Sequence, residues 1–190
     1  MSERIVNVHE KWYKDVKYRS TLEANTAEVL DLLGLPIRYE ERIITLLEGF
    51  RCPFQKDKVR GITYTPDFWL TDKIIIECKG FETPEWKNKK KYIYKYLIDN
   101  EPDVMFYQIH DCQKSLLKVL DNYWQLFGYK IQVKSRPKGR NAVEETYIYD
   151  TVAGAMEDLK LGGKALGPIV NSLVGKREYV YNYNWKLVKV

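Results

Sequence analysis

The sequence predicts a mixed α/β fold: a sheet flanked by helices, followed by a small helix-turn-helix-like module. Three observations lead there. Helical and strand-like apolar patterns alternate in the order helix, three strands, helix, strand, helix, strand over the first 133 residues. Two short apolar runs, Phe68-Trp69-Leu70 and Ile74-Ile75-Ile76, flank the turn Thr71-Asp72-Lys73. From Tyr147 the pattern changes to a short strand and two short helices around Gly162-Gly163.

The elements follow in order. Residues 1–16 are mixed and charged and read as an N-terminal arm. Ser20-Thr21-Leu22-Glu23 is a capping box that opens a helix to about Leu33, with Leu22, Val29, Leu30 and Leu33 as its apolar face. Gly34 and Pro36 end it. Ile37 to Leu47 reads as a strand, and 48–61 as a long loop or strand extension. Ile62–Leu70 and Lys73–Lys79 form a hairpin. A second helix starts near Thr83-Pro84, with proline in its first turn, and runs to about Asn100. Val104–Ile109 is a strand, Ser115–Phe127 a helix capped by Gly128, and Tyr129–Val133 a last strand. The main domain is therefore 17–133, with a basic linker over 134–146 and the terminal module over 147–190.

Composition bounds the function. The 190 residues are 45% apolar, enough for a real core. The net charge is +5, too modest to establish nucleic-acid binding by itself. No run approaches the roughly 18 apolar residues of a membrane span, and the N-terminus lacks a signal-peptide core. Cys52, Cys78 and Cys112 are odd in number, widely spaced and without a zinc pattern, which points to a reducing cytosol. His9 and His110 are isolated and read as structural or surface residues.

The chemistry sits in the hairpin. Asp67 and Glu77 are ten residues apart, a spacing that brings them together across neighbouring strands. Alternation puts Lys79 on the face of Glu77 and turns Cys78 away from it. Paired carboxylates suit Mg²⁺, with Mn²⁺ as an alternative, and a lysine beside them can orient or activate water. The plain reading is a cross-strand Glu–Lys surface pair. Against it stands Ile74-Ile75-Ile76, a run suited to a strand buried on both faces, where charge is costly unless paired or metal-bound. Downstream, Lys87, Lys89, Lys90 and Lys91 with Tyr92, Tyr94 and Tyr96 make a basic, aromatic helix face suited to phosphate contacts. Arg136, Lys138 and Arg140 form an acid-free run suited to tracking a nucleic-acid backbone.

Arg19-Ser20-Thr21-Leu22-Glu23, Tyr39-Glu40-Glu41, Tyr64-Thr65-Pro66-Asp67-Phe68 and Glu77-Cys78-Lys79-Gly80 together resemble, in order, the phage endonuclease I family of Holliday-junction resolvases, within the PD-(D/E)xK nuclease superfamily. The resemblance covers about residues 17–110. It implies a restriction-endonuclease-like fold and an Mg²⁺-dependent endodeoxyribonuclease, often dimeric, acting on DNA in the cytoplasm of a phage-infected or bacterial cell. It implies Asp67 and Glu77 as metal ligands, Lys79 at the water, and Glu23 as a carboxylate from the first helix. Two departures stand out. Arg38 occupies a family acidic position, for which Glu40 is the nearby substitute, and the segment between Glu41 and Tyr64, which helps join subunits in the family, is longer here. The tail from Tyr149 to Trp185, with Gly175-Lys176-Arg177 and Tyr183-Asn184-Trp185, resembles the DNA-binding repeats of intron-encoded homing nucleases. It implies DNA contacts at Lys176 and Arg177 and, as an alternative function, a site-specific homing endonuclease.

Overall fold

A computed structural model describes residues 9–54, 56–138, 142–162 and 165–190. The chain forms two compact units, Met1–Leu35 with Asp111–Val190, and Pro36–His110. The architecture is mixed α/β, with five helices and several sheets among the described residues.

The expected arm is structured from Lys11 onward. β1 (Lys11–Tyr13) and β2 (Val16–Tyr18) pair antiparallel. Strands this short are marginal alone. Side chains tie the hairpin to α1 (Thr21–Leu32): the Tyr13 hydroxyl donates to Asp31 at 2.8 Å, and Lys14 pairs with the same carboxylate at 2.7 Å. Ser20 caps α1 as expected, accepting from the Glu23 N–H. The buried stripe is Ala24, Ala27 and Leu30, while Leu22, Val29 and Leu33 are half-buried.

In the second unit, the expected strand over 37–47 is two strands, β3 (Ile37–Tyr39) and β4 (Ile44–Leu47). Glu40, at φ 47°, turns the chain between them. The segment 48–61 is the strand extension of the two options: β5 (Phe50–Arg51) pairs with β6 (Lys58–Val59). The expected strand over 62–70 also divides, into β7 (Ile62–Tyr64) and β8 (Phe68–Leu70). Pro66 explains the break, since it has no N–H for a ladder. β9 (Ile74–Cys78) is buried throughout, as its apolar run requires. α2 (Pro84–Asn100) then crosses over to β10 (Met105–Ile109), which lies parallel to β9. The central sheet runs β10-β9-β8-β3, and β4 pairs separately with β7. Trp69 and Ile75, cross-strand partners, pack with Ile44, Tyr64 and the α2 residues Trp86, Ile93 and Leu97.

The first unit resumes with α3 (Lys114–Leu126), β11 (Tyr129–Ser135), β12 (Thr146–Tyr149), α4 (Val152–Asp158), α5 (Leu166–Leu173) and β13 (Tyr183–Lys189). β11 lies in the middle of a three-stranded antiparallel sheet, between β12 and β13. Lys134 pairs with Thr146, so the segment expected as a linker lies between two hydrogen-bonded strands. The expected terminal helices are both present, but β13, not foreseen as a strand, supplies a sheet edge. Trp185 is fully buried, its indole N–H donating to the Val180 carbonyl at 3.3 Å, so it serves packing.

Asp121 of α3 joins this tail to the rest of its unit. Its two oxygens accept the N–H groups of Val152 and Ala153, at 2.7 and 3.1 Å, at the start of α4. Burial pushes its carboxyl above the ordinary value, and the two N–H groups offset that only in part. Asp121→Ala removes both acceptors and leaves two helix-start donors unmatched. A loss of about 2–3 kcal/mol is expected, read as a lower urea midpoint at unchanged slope.

Candidate active site

The antiparallel register pairs Phe68 with Ile76, so one step further Asp67 comes opposite Glu77. Asp67 lies just beyond β8, in the gap that Pro66 opens. Its side chain takes over a ladder role there, the carboxylate accepting the Cys78 N–H at 2.7 Å. Asp67 and Glu77 are buried, at 8% and 5% exposure. Strand alternation places Asp67, Trp69, Ile75, Glu77 and Lys79 on one face. Cys78 is buried too, and alternation sends its side chain to the other face.

Aromatic groups line this end of the sheet. The Tyr64 hydroxyl donates to Glu77 at 2.8 Å. Burial, then the Glu77 carboxylate, push the Tyr64 phenol well above its ordinary value. It therefore stays a donor at any neutral or mildly alkaline pH. Lys79 Nζ lies 4.0 Å from Glu77 and 4.7 Å from the centre of the Trp86 ring. Its side chain is one-third exposed, held between a buried acid and an aromatic face. Gln108 is the parallel partner of Glu77, and its side-chain oxygen accepts from Trp86 Nε1 at 2.9 Å and Lys90 Nζ at 3.1 Å. His110 donates from Nδ1 to the Lys79 carbonyl at 2.6 Å, which fixes the tautomer because that carbonyl can only accept.

Trp86 and Gln108 go unmarked in the sequence, Tyr64 stands there only within the motif leading to Asp67, and the isolated His110 reads as a structural or surface residue. Tyr64 carried a signal, two residues before Pro66 in a strand leading to Asp67. Gln108 carried none, since its place beside Glu77 depends on parallel pairing across a helix.

The donors are hard oxygens on two adjacent buried carboxylates. That set fits Mg²⁺, which takes one or two protein carboxylates and completes its shell with water and substrate phosphate. Among the described residues no group of three or more His, Cys, Asp or Glu side chains is placed to hold a metal. Asp67 and Glu77 are the two buried carboxylates that could share such an ion.

The remaining expected residues are spread out. Glu23 belongs to the other unit, is 6% exposed, and accepts from the Arg19 N–H at 3.1 Å and the Ser20 hydroxyl at 2.7 Å. On α2, Lys87 and Lys91 are exposed. Lys89 is half-buried, 5.7 Å from the centre of the Tyr64 ring, and Lys90 is paired with Glu82. Arg38 pairs with Glu41 at 3.0 Å and Asp72 at 2.7 Å. The Glu40 N–H donates to the Asp67 carbonyl at 3.1 Å, which ties it to the site through its backbone. In the tail, Arg136, Lys138, Lys176 and Arg177 are exposed, with Arg136 over the Tyr179 ring at 5.3 Å. Arg140 lies outside the described residues.

Tyr64→Phe should cost about 1–2 kcal/mol by leaving a buried carboxylate without its donor. The raised phenol fixes the sign with pH. Tyr64 contributes its stability in full below the ordinary value of 10.0, and the contribution is lost as pH rises through the higher folded value. The difference in stability between the two proteins should therefore be flat through neutrality and shrink only at strongly alkaline pH, measured by urea titration across that range.

A model of the family described as Phage endonuclease I matches residues 5–118. No curated protein and no solved structure matches the chain. No helix among the described residues is long and apolar enough to cross a membrane. The family match spans more than half of the 190 residues, including Glu23, Asp67, Glu77 and Lys79. The chain belongs to the phage endonuclease I family and is a nuclease with DNA as its partner.

Proposed function

We propose that this chain is an Mg²⁺-dependent endodeoxyribonuclease that hydrolyses phosphodiester bonds in branched DNA and resolves four-way junctions as a homodimer. The observation that carries the chemistry is the buried Asp67–Glu77 pair with Lys79 on its exposed side. The family supports the junction as substrate. Bound Mg²⁺ would neutralise charge on the scissile phosphate and lower the pKa of an attacking water. Asp67 and Glu77 would hold it, their geometry fixed by the Cys78 N–H and the Tyr64 hydroxyl. Lys79, steadied by the Trp86 ring, presents its ammonium toward solvent, where it orients the water and offsets charge developing on the phosphate. Trp86 and Ile75 keep bulk water from the buried side of the acids. We assign Glu23 a supporting acidic role on the resemblance alone.

A second reading is a site-specific homing endonuclease. Exposed Lys176 and Arg177, just beyond α5, favour it, since cations there suit contacts to a DNA backbone. Deleting the tail is a poor test, because β11 would lose both neighbouring strands. Cut mapping on a four-way junction and on random linear duplex separates the readings: junction-centred cuts support the first, and one sequence-defined cut in linear DNA supports the second.

Asp67→Asn and Glu77→Gln keep a hydrogen-bonding oxygen and remove the charge that holds metal. Each should lower cleavage by about 1,000-fold or more, as losing roughly 4 kcal/mol of transition-state stabilisation implies, while DNA binding survives. Near-normal Mg²⁺-dependent cutting by either variant would refute the site. Lys87 and Lys91 are exposed, whereas Lys90 is already paired. Replacing Lys87 and Lys91 together by alanine should reduce the log–log salt slope of binding by about two, and Lys90→Ala should change it less, as measured by fluorescence anisotropy at several salt concentrations.

A further inference from the structure

We infer that the outer hairpin β5–β6 is a DNA wedge, with Phe54 as the side chain that enters the base stack. The inference rests on the DNA-cleaving reading above and adds a second contact to it. Phe54 lies beyond β5 and is 95% exposed. A side chain so apolar gains nothing from water, and a base step gives it two aromatic faces.

The charges around it select the occupant. Arg51, Lys56, Lys58 and Arg60 are exposed, against only Glu48 and Asp57 in the same stretch. Arg51 and Lys58 are direct cross-strand partners, so their side chains share a face. Like charges placed opposite each other destabilise a ribbon. Among the described residues, neither cation has an ion-pair partner. An anion between them relieves that repulsion, and a phosphate backbone supplies a row of anions.

The hairpin is also aimed by the site it serves. β7 leads from it through Tyr64 to Asp67, and Tyr64 itself holds Glu77. Between the inner pair β4–β7 and the outer pair the ribbon is pinched at Gly49 and Gly61. A Cβ on Gly61 would come within 2.6 Å of the Leu47 carbonyl oxygen, so the close approach requires glycine. From Tyr64 back to Lys58, six residues at about 3.3 Å each reach up to about 20 Å, or roughly six base-pair steps from the catalytic acids.

The test uses the full chain with Glu77→Gln, so that DNA stays intact, alone and with Phe54→Ala or Phe54→Trp. The probe is a synthetic four-way junction carrying 2-aminopurine at successive positions up to about eight base pairs from the cut mapped with the wild-type enzyme. Binding should raise fluorescence at one of these positions, as that base unstacks. Phe54→Ala should abolish the rise and weaken binding about tenfold, and Phe54→Trp should restore both. Phe54 is exposed, so the thermal midpoint should not move. If Phe54→Ala binds equally well with the rise intact, the wedge is wrong and the nuclease stands. If it instead shifts the protein from dimer to monomer in sedimentation and leaves the DNA signal unchanged, the hairpin serves a subunit contact and the wedge is again wrong. If the unsubstituted chain neither binds nor cuts the junction, both readings fail.

Discussion

Two carboxylates buried at the end of an apolar strand impose the main constraint on this protein. An ionised acid out of water is tolerated only with hydrogen-bond donors or cations around it. The second unit supplies them from three directions. The sheet provides the Cys78 N–H for Asp67, the neighbouring ribbon provides the Tyr64 hydroxyl for Glu77, and the residue just after β9 provides Lys79. The Pro66 break follows the same need. An unbroken strand would spend its own carbonyl on this ladder position, and Asp67 uses its side chain there instead. The break also detaches β7 from the central sheet and lets it pair with β4.

The aromatic surroundings follow from the same constraint. Trp86 sits over Lys79 on one side and packs into the core on the other, so the position of the lysine is coupled to how well α2 docks. Gln108 then links Trp86 and Lys90 to the strand beside Glu77. A substitution in the first turn of α2 would thus reach the site without touching an acid.

Much of this was legible in the sequence because it depends on local pattern. The Ile74-Ile75-Ile76 run gave a buried strand, Ser20 with Glu23 gave a helix start, and the ten-residue interval set Asp67 against Glu77 across a hairpin. What stayed hidden depends on partners far apart in the chain. Ile37–Leu47 has the periodicity of one strand, and its division at Glu40 reflects two different neighbours, β8 and β7. β13 carries alternating residues, but its aromatic and charged composition reads equally as surface until β11 is placed beside it. Gln108 has no chemical signature at all. The capping interactions of Glu23 follow from the same local pattern.

The place of β11 between β12 and β13 bears on how the protein is made. Pro36–His110 is continuous in sequence, so all its strands have left the ribosome while the tail is still being synthesised. The other unit has no such head start. Along one edge of β11, from Tyr129 to Ser135, the backbone groups await Tyr183–Lys189, far downstream in the chain. At about 5–20 residues per second, that edge stays open for several seconds after β11 is made. A nuclease built in this order holds its candidate acids in a segment that emerges early, and completes the sheet of its other unit only once Tyr183–Lys189 has emerged.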